Sequence, residues 1–172
     1  QAGHDACLMG ASHLDYDSNR DEVGFEGRFI PGFDLEGMGW KEAALGTFIP
    51  YKRQAIADRI ARAILAHAGD YDVVHYHGHY PMVGRLIPAS VNFVQTRHDQ
   101  GSECLTHVRF RNGAVCDSND PRDCAVCALN AKPGAWRRQL AAAAVREYRT
   151  HTVEAFARHK NGFASDFLRQ AF

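Results

Sequence analysis

The strongest constraint on the fold comes from two short apolar runs that each end in histidine. Residues 71–78 read YDVVHYHG and residues 92–99 read NFVQTRHD. Runs of this length, bounded by turn residues and separated by helical patterns, predict strands of a parallel sheet, because parallel strands need crossover segments to bring the chain back. The helices are legible as well. In Arg53–Ala68, the residues Ile56, Ile60, Ala63, Ile64 and His67 recur at helical spacing ahead of Gly69. Ala135–Arg158 contains no Gly or Pro, and Leu140, Ala144, Tyr148 and Ala155 share one face opposite Arg138, Arg146 and Arg149. Beyond Thr150 the pattern slips, with Arg158 on the apolar face and Phe156 on the polar one, which predicts a bend or a change of packing partner.

Shorter elements complete the pattern. Ala6–Met9, Tyr71–His77, Val91–Thr96 and Asn161–Ala164 read as strands, the second of them buried, and Pro81–Ile87 reads as a short helix. Ser165 or Asp166 caps a last helix. His13–Tyr51 is punctuated by Gly and Pro and is too long to be structureless in a compact domain, so it should hold short elements or functional loops. The expected class is α/β, a Rossmann-like parallel sheet with helices on both faces, in one domain over residues 1–172.

Composition narrows the function classes. A chain of 172 residues with 45% hydrophobic and 10% aromatic content can build one core and is not a disordered segment. Lys and Arg total 20, as do Asp and Glu, which argues against a general nucleic-acid binder. Without a signal-peptide pattern or an apolar run near the ~20 residues that span a bilayer, the expected location is the cytoplasm. Basic residues concentrate within 132–160, the pattern of a solvated helix face or of an anionic-partner site.

Ligands of open α/β sheets sit outside the carboxyl ends of the strands, where His75, His77 and His98 fall. His75 and His77 are two apart on a strand and so point the same way, with His79 next in the loop. His75, deeper in its strand, reads as a core histidine bonded to backbone. His98, followed by Asp99 and a polar loop, is a candidate functional group. The HxHxH run also raises a metal-dependent hydrolase using His75, His77 and His79, although no carboxylate is spaced nearby to complete it.

Residues 101–132 form a cysteine-bearing insertion. Cys104, Cys116, Cys124 and Cys127 are spaced C-x11-C-x7-C-x2-C. The CxxC pair is the tight half of a tetrahedral zinc site, with His107 as an alternative fourth ligand. Disulfides and free thiols are the competing readings. Cys7 reads as a small buried apolar residue in a strand. Four soft ligands in one insertion should order it as a local staple, independent of the sheet.

YDVVHYHG, a strand running into HD, a cysteine-bearing loop, a long helix and NGFASDFLRQAF together resemble the N-terminal half of retaining glycosyltransferases of family 4, which have the GT-B fold. The resemblance covers about Gly3 to Phe172 and rests on the order and spacing of short motifs. It implies that His98 contacts the donor sugar, that Gly78, beside His77, lies where backbone approaches the sugar, that Asp99 orients its loop, and that Ser165 heads the helix before an interdomain linker. The family's first strand and Gly-rich loop would precede Gln1, and its nucleotide-binding domain would follow Phe172. The implied function is the acceptor-side domain of an enzyme moving a sugar from a nucleotide-sugar to a glycan or lipid-linked acceptor. No cofactor is implied for catalysis, and any zinc held by the cysteines would be structural. The chain alone should be inactive, prone to form homo-oligomers and able to touch the inner membrane surface through its basic helix. The alternative is a non-catalytic binding module built around the four-cysteine metal site.

Overall fold

Secondary structure alternates between strands and helices, with every sheet pairing between the longer strands parallel. The computed structural model describes residues 3–11, 25, 27–33, 50–129 and 134–170. Much of His13–Tyr51 and the last part of the insertion lie outside these residues. Strands β1 (Cys7–Ala11) and β2 (Arg28–Phe33) form one parallel pair, with Cys7 opposite Arg28. Helix α1 (Pro50–His67) precedes strands β3 (Val74–Tyr76) and β4 (Phe93–Arg97), which are joined through a 3-10 turn at Pro81–Leu86. A two-stranded antiparallel hairpin, β5 (Phe110–Arg111) and β6 (Ala114–Val115), leads to α2 (Pro121–Leu129). The long helix α3 (Ala135–Arg158), strand β7 (Lys160–Phe163) and α4 (Asp166–Gln170) follow.

The second parallel group is ordered β3-β4-β7, and among the described residues it is a separate sheet from β1-β2. The starts of the two groups meet through side chains, where Arg28 Nη2 donates to the Tyr71 hydroxyl at 3.2 Å. The chain is thus α/β with parallel strands, as the alternation of elements predicts.

The core is built by α1, the 3-10 turn, β4 and α3. Ile56, Ile60 and Ile64 of α1 pack with Val83, Ile87, Phe93, Val145 and Tyr148 in one buried cluster. Fully burying one such aliphatic side chain stabilises by roughly 1.5–3 kcal/mol. Leu105 and Ala125, both from the cysteine-bearing segment, belong to the same cluster. That segment is therefore part of the core, not the independent staple that its ligand clustering suggests.

Three further expectations change. Strand β3 is only three residues long, with Val74 and Tyr76 half-buried and His75 exposed, because β4 is its only partner among the described residues. Helix α3 runs unbroken past Thr150, and its buried face consists of Ala141, Ala142, Ala144, Val145, Tyr148, Thr152, Ala155 and Phe156. Phe156 is thus buried and Leu140 is 62% exposed, the reverse of the single straight stripe read from spacing. Of the two outcomes expected beyond Thr150, the change of packing partner holds and the bend does not: Arg149 reaches Cys124 of α2, whereas Glu154 and Arg158 meet Arg85 of the 3-10 turn. Cys7 is half-buried rather than buried, with its strand paired to β2.

Candidate functional site

The parallel register of β3 and β4 sets His75 opposite Val94 and Tyr76 opposite Gln95. Continuing past both strand ends brings the loops His77–His79 and His98–Gln100 side by side. Alternation along β3 turns Tyr76 into the core, where burial pushes its phenol pKa well up, and turns His75 and His77 to the other face. Their rings lie 4.0 Å apart between centroids. His75 Nε2 bonds the Thr96 hydroxyl at 2.6 Å from an exposed position. It is thus a partner of a side chain on the next strand, not the backbone-bonded core histidine its depth suggests.

His77 Nδ1 and His98 Nε2 are 2.8 Å apart. One ring nitrogen must donate and the other accept, so the pair shares one N–H and excludes a charge on both rings while the bond lasts. The His77 pKa is lowered from its ordinary value, first by burial and then by His75 and His98. The neutral form of His77 is therefore favoured, and a row of imidazoles runs along the carboxyl edge of the sheet.

The loop after His98 is folded on itself. Asp99 Oδ1 accepts the Gly101 N–H at 2.7 Å, and Asp99 Oδ2 is 3.1 Å from His107 Nδ1. Gln100 N–H donates to the His107 carbonyl at 3.1 Å, and His107 N–H donates to the Cys104 carbonyl at 2.9 Å. His107 has φ +66, a left-handed conformation that costs a non-glycine residue of order 1–3 kcal/mol and holds its ring against Asp99. Gly101 is required here, since a Cβ would strike the His107 ring and the Asp99 carboxylate. Tyr148 of α3 donates its hydroxyl to the Gly101 carbonyl, tying the loop to the core.

His79, Asp99 and His107 offer ligand atoms that all lie within 4.8 Å of one another. Two imidazoles and a carboxylate are a sufficient protein ligand set for a catalytic zinc, with a further position open. Of the HxHxH run, only His79 joins this group. Spacing missed it because Asp99 and His107 reach His79 only through the β3–β4 register and the left-handed turn at His107.

The other candidates fall as follows. Gly78 follows His77, and a Cβ there would run into the ring of half-buried Tyr76, so packing alone already demands glycine. Ser165 caps α4, its Oγ accepting the Leu168 N–H at 3.3 Å. The bond from Ala164 N–H to the Arg97 carbonyl sets Ser165 at the same end of the sheet as His98. Cys104, Cys116, Cys124 and Cys127 line one cavity of about 30 Å³, together with Arg149. Sequence reading also passed over Arg53, a buried guanidinium stacked 3.6 Å from the centroid of the Tyr148 ring; burial lowers its pKa. Among the described residues no helix is long and apolar enough to cross a membrane. Comparison of the chain with protein-family models, curated proteins and solved structures gave no match.

Proposed function

We propose that this chain is the acceptor-side domain of a retaining glycosyltransferase, with His98 as the residue that meets the reacting sugar. The observation that carries the reading is the His77–His98 pair, 2.8 Å apart at the carboxyl ends of adjacent parallel strands. Ligands of open α/β sheets bind at such an edge. His98 spends Nε2 on His77 and has Nδ1 to offer a sugar hydroxyl. His77, itself flanked by His75, fixes the orientation of that ring through a hydrogen bond, so its dipole is set before charge develops on the sugar. Asp99 acts by positioning, because its carboxylate is held by Gly101 and His107. Gly78 and Ser165 complete the rim. The exposed Arg138 and Arg146 on α3 suit an anionic glycan or lipid-linked acceptor, or the inner leaflet of a membrane.

The test is sugar transfer from nucleotide-sugars by the natural protein that contains this chain. His98→Ala should reduce kcat by about 10²–10³, the range for losing one preorganised donor, while Tm stays unchanged. Turnover within about threefold of the unaltered protein would remove His98 from the reaction.

A metal-dependent hydrolase is the second reading, favoured by the convergence of His79, Asp99 and His107. Under it, activity on an ester or amide would vanish on chelation and return with zinc, and His79→Ala would abolish it. Under the transferase reading, His79→Ala leaves sugar transfer nearly unchanged.

A further inference from the structure

We infer that Cys104, Cys116, Cys124 and Cys127 hold one zinc ion as a tetrathiolate, and that Arg149 is the cation balancing that site. The four residues come from three separate pieces of backbone. Cys124 and Cys127 lie on α2, three residues apart and so on one side of the helix. The tight turn at Asn112–Gly113, both with positive φ, folds the β5–β6 hairpin back, and Cys116 follows it with its N–H on the Arg109 carbonyl at 2.8 Å. Cys104 sits in the folded loop, its N–H on the Gln100 carbonyl at 2.8 Å. A loop, a hairpin and a helix thus bring the four cysteines to the lining of one cavity of about 30 Å³, and four cysteines are the ligand set of a tetrahedral structural zinc site.

The electrostatics point the same way. Zinc displaces the four thiol protons and leaves a centre of net charge −2, which requires cationic surroundings. Arg149 reaches from α3 to place Nη2 3.1 Å from Cys124 Sγ, while its guanidinium also donates to the Glu103 and Asn119 carbonyls. Soft thiolates in a four-sulfur set select zinc over hard cations.

The site would also order the histidine edge, from which it is chemically distinct. Glu103, next to Cys104, accepts from Arg97 of β4 at 3.2 Å and from Arg109 at 2.7 Å. His107 lies between Cys104 and Cys116 in the chain, so fixing the sulfurs fixes the segment that presents His107 to Asp99. The inference stands whether or not the chain transfers sugars.

The test uses the whole chain purified without oxygen. It should carry one equivalent of zinc, and four of its five cysteines should resist alkylation until a chelator is added. Cobalt replacing zinc should give the intense thiolate-to-metal charge-transfer band of a tetrahedral sulfur site. That band should survive the His79→Ala/His107→Ala double variant and disappear in Cys124→Ser/Cys127→Ser. Arg149→Gln should weaken zinc binding about 10–100-fold, as loss of an outer-shell partner does. Three results would overturn the inference: alkylation of all five cysteines regardless of zinc, a cobalt spectrum lost only with the histidines, or an intact mass showing disulfides in the anaerobic protein. The alkylation and cobalt measurements on the unaltered chain decide the matter even if a variant fails to fold.

Discussion

The histidine edge and the cysteine cavity are built from different materials. At the edge, backbone register does the positioning. Parallel pairing of β3 with β4 brings His77 within 2.8 Å of His98, and strand alternation sets the tilted His75 ring beside that of His77. The geometry stands with protein groups alone, because His77 and His98 bond each other and His75 bonds the Thr96 hydroxyl. In the cavity, a loop, a hairpin and a helix contribute cysteines that have no covalent partner, with Arg149 between α2 and the rest of the domain. Register can preorganise a polar site, whereas irregular backbone needs a charge or an ion at its centre to hold soft ligands together.

The largest effect that could break this contrast is removal of the sulfurs. Leu105 and Ala125 are part of the main cluster, so Cys124→Ser/Cys127→Ser should lower the melting temperature of the whole domain. Structural zinc sites contribute roughly 10–16 kcal/mol of apparent binding free energy in small peptides, and if the inferred ion is bound, part of that energy is lost with the two sulfurs. Faster proteolysis limited to residues 101–129, with an unchanged melting temperature, would make the cavity a local staple after all.

Next comes His98→Ala, with about 2.7–4 kcal/mol of barrier lost in sugar transfer and little change in stability, since the ring is exposed. A marked fall in melting temperature with normal kinetics would turn the edge into a structural feature. Gly78→Ala should cost about 1–3 kcal/mol by forcing the Tyr76 ring to move. Chemical denaturation would show it; a neutral result would mean that the His77–His79 loop can shift freely and that register alone does not hold the edge.

The smallest effect is a pH dependence. The His77 pKa in the folded protein lies below 6.5, so on acidification the unfolded chain takes up this proton first. Its contribution therefore makes stability fall as pH drops from about 6.5 toward the folded pKa, and it is constant below that. His75→Asn should raise the His77 pKa only part of the way, because burial is the larger cause. Histidine ring NMR during a pH titration reports this directly, and a His77 titrating above 6.5 would contradict the packing of the imidazole row.

Local chemistry made much of the fold legible in advance. Helix α3 matches its expected span because twenty-four residues without Gly or Pro leave few alternatives, and Ser165 caps α4 as its side chain predicts. The hairpin in the cysteine segment went unread, although Asn112–Gly113 is a strong signal for a two-residue turn with positive φ at both positions. The buried face of α3 was legible only in part: Ala144, Tyr148 and Ala155 are buried as their spacing suggests, but Leu140 is exposed and Phe156 buried, because a helix packed against two partners does not keep one straight apolar stripe. Arg149 illustrates the same limit, being half-buried and bonded on a face that charge pattern assigns to solvent.

By itself, the sequence determined the α/β alternation, the strand-end positions of His77 and His98 and the clustering of the four cysteines, all of which follow from periodicity and short-range spacing. Tertiary structure alone decided that His79 meets Asp99 and His107, that Gly78 answers to Tyr76, and that the cysteine segment shares the main core. Those three depend on register, on a left-handed backbone turn and on packing between elements distant in the chain, none of which local propensity encodes.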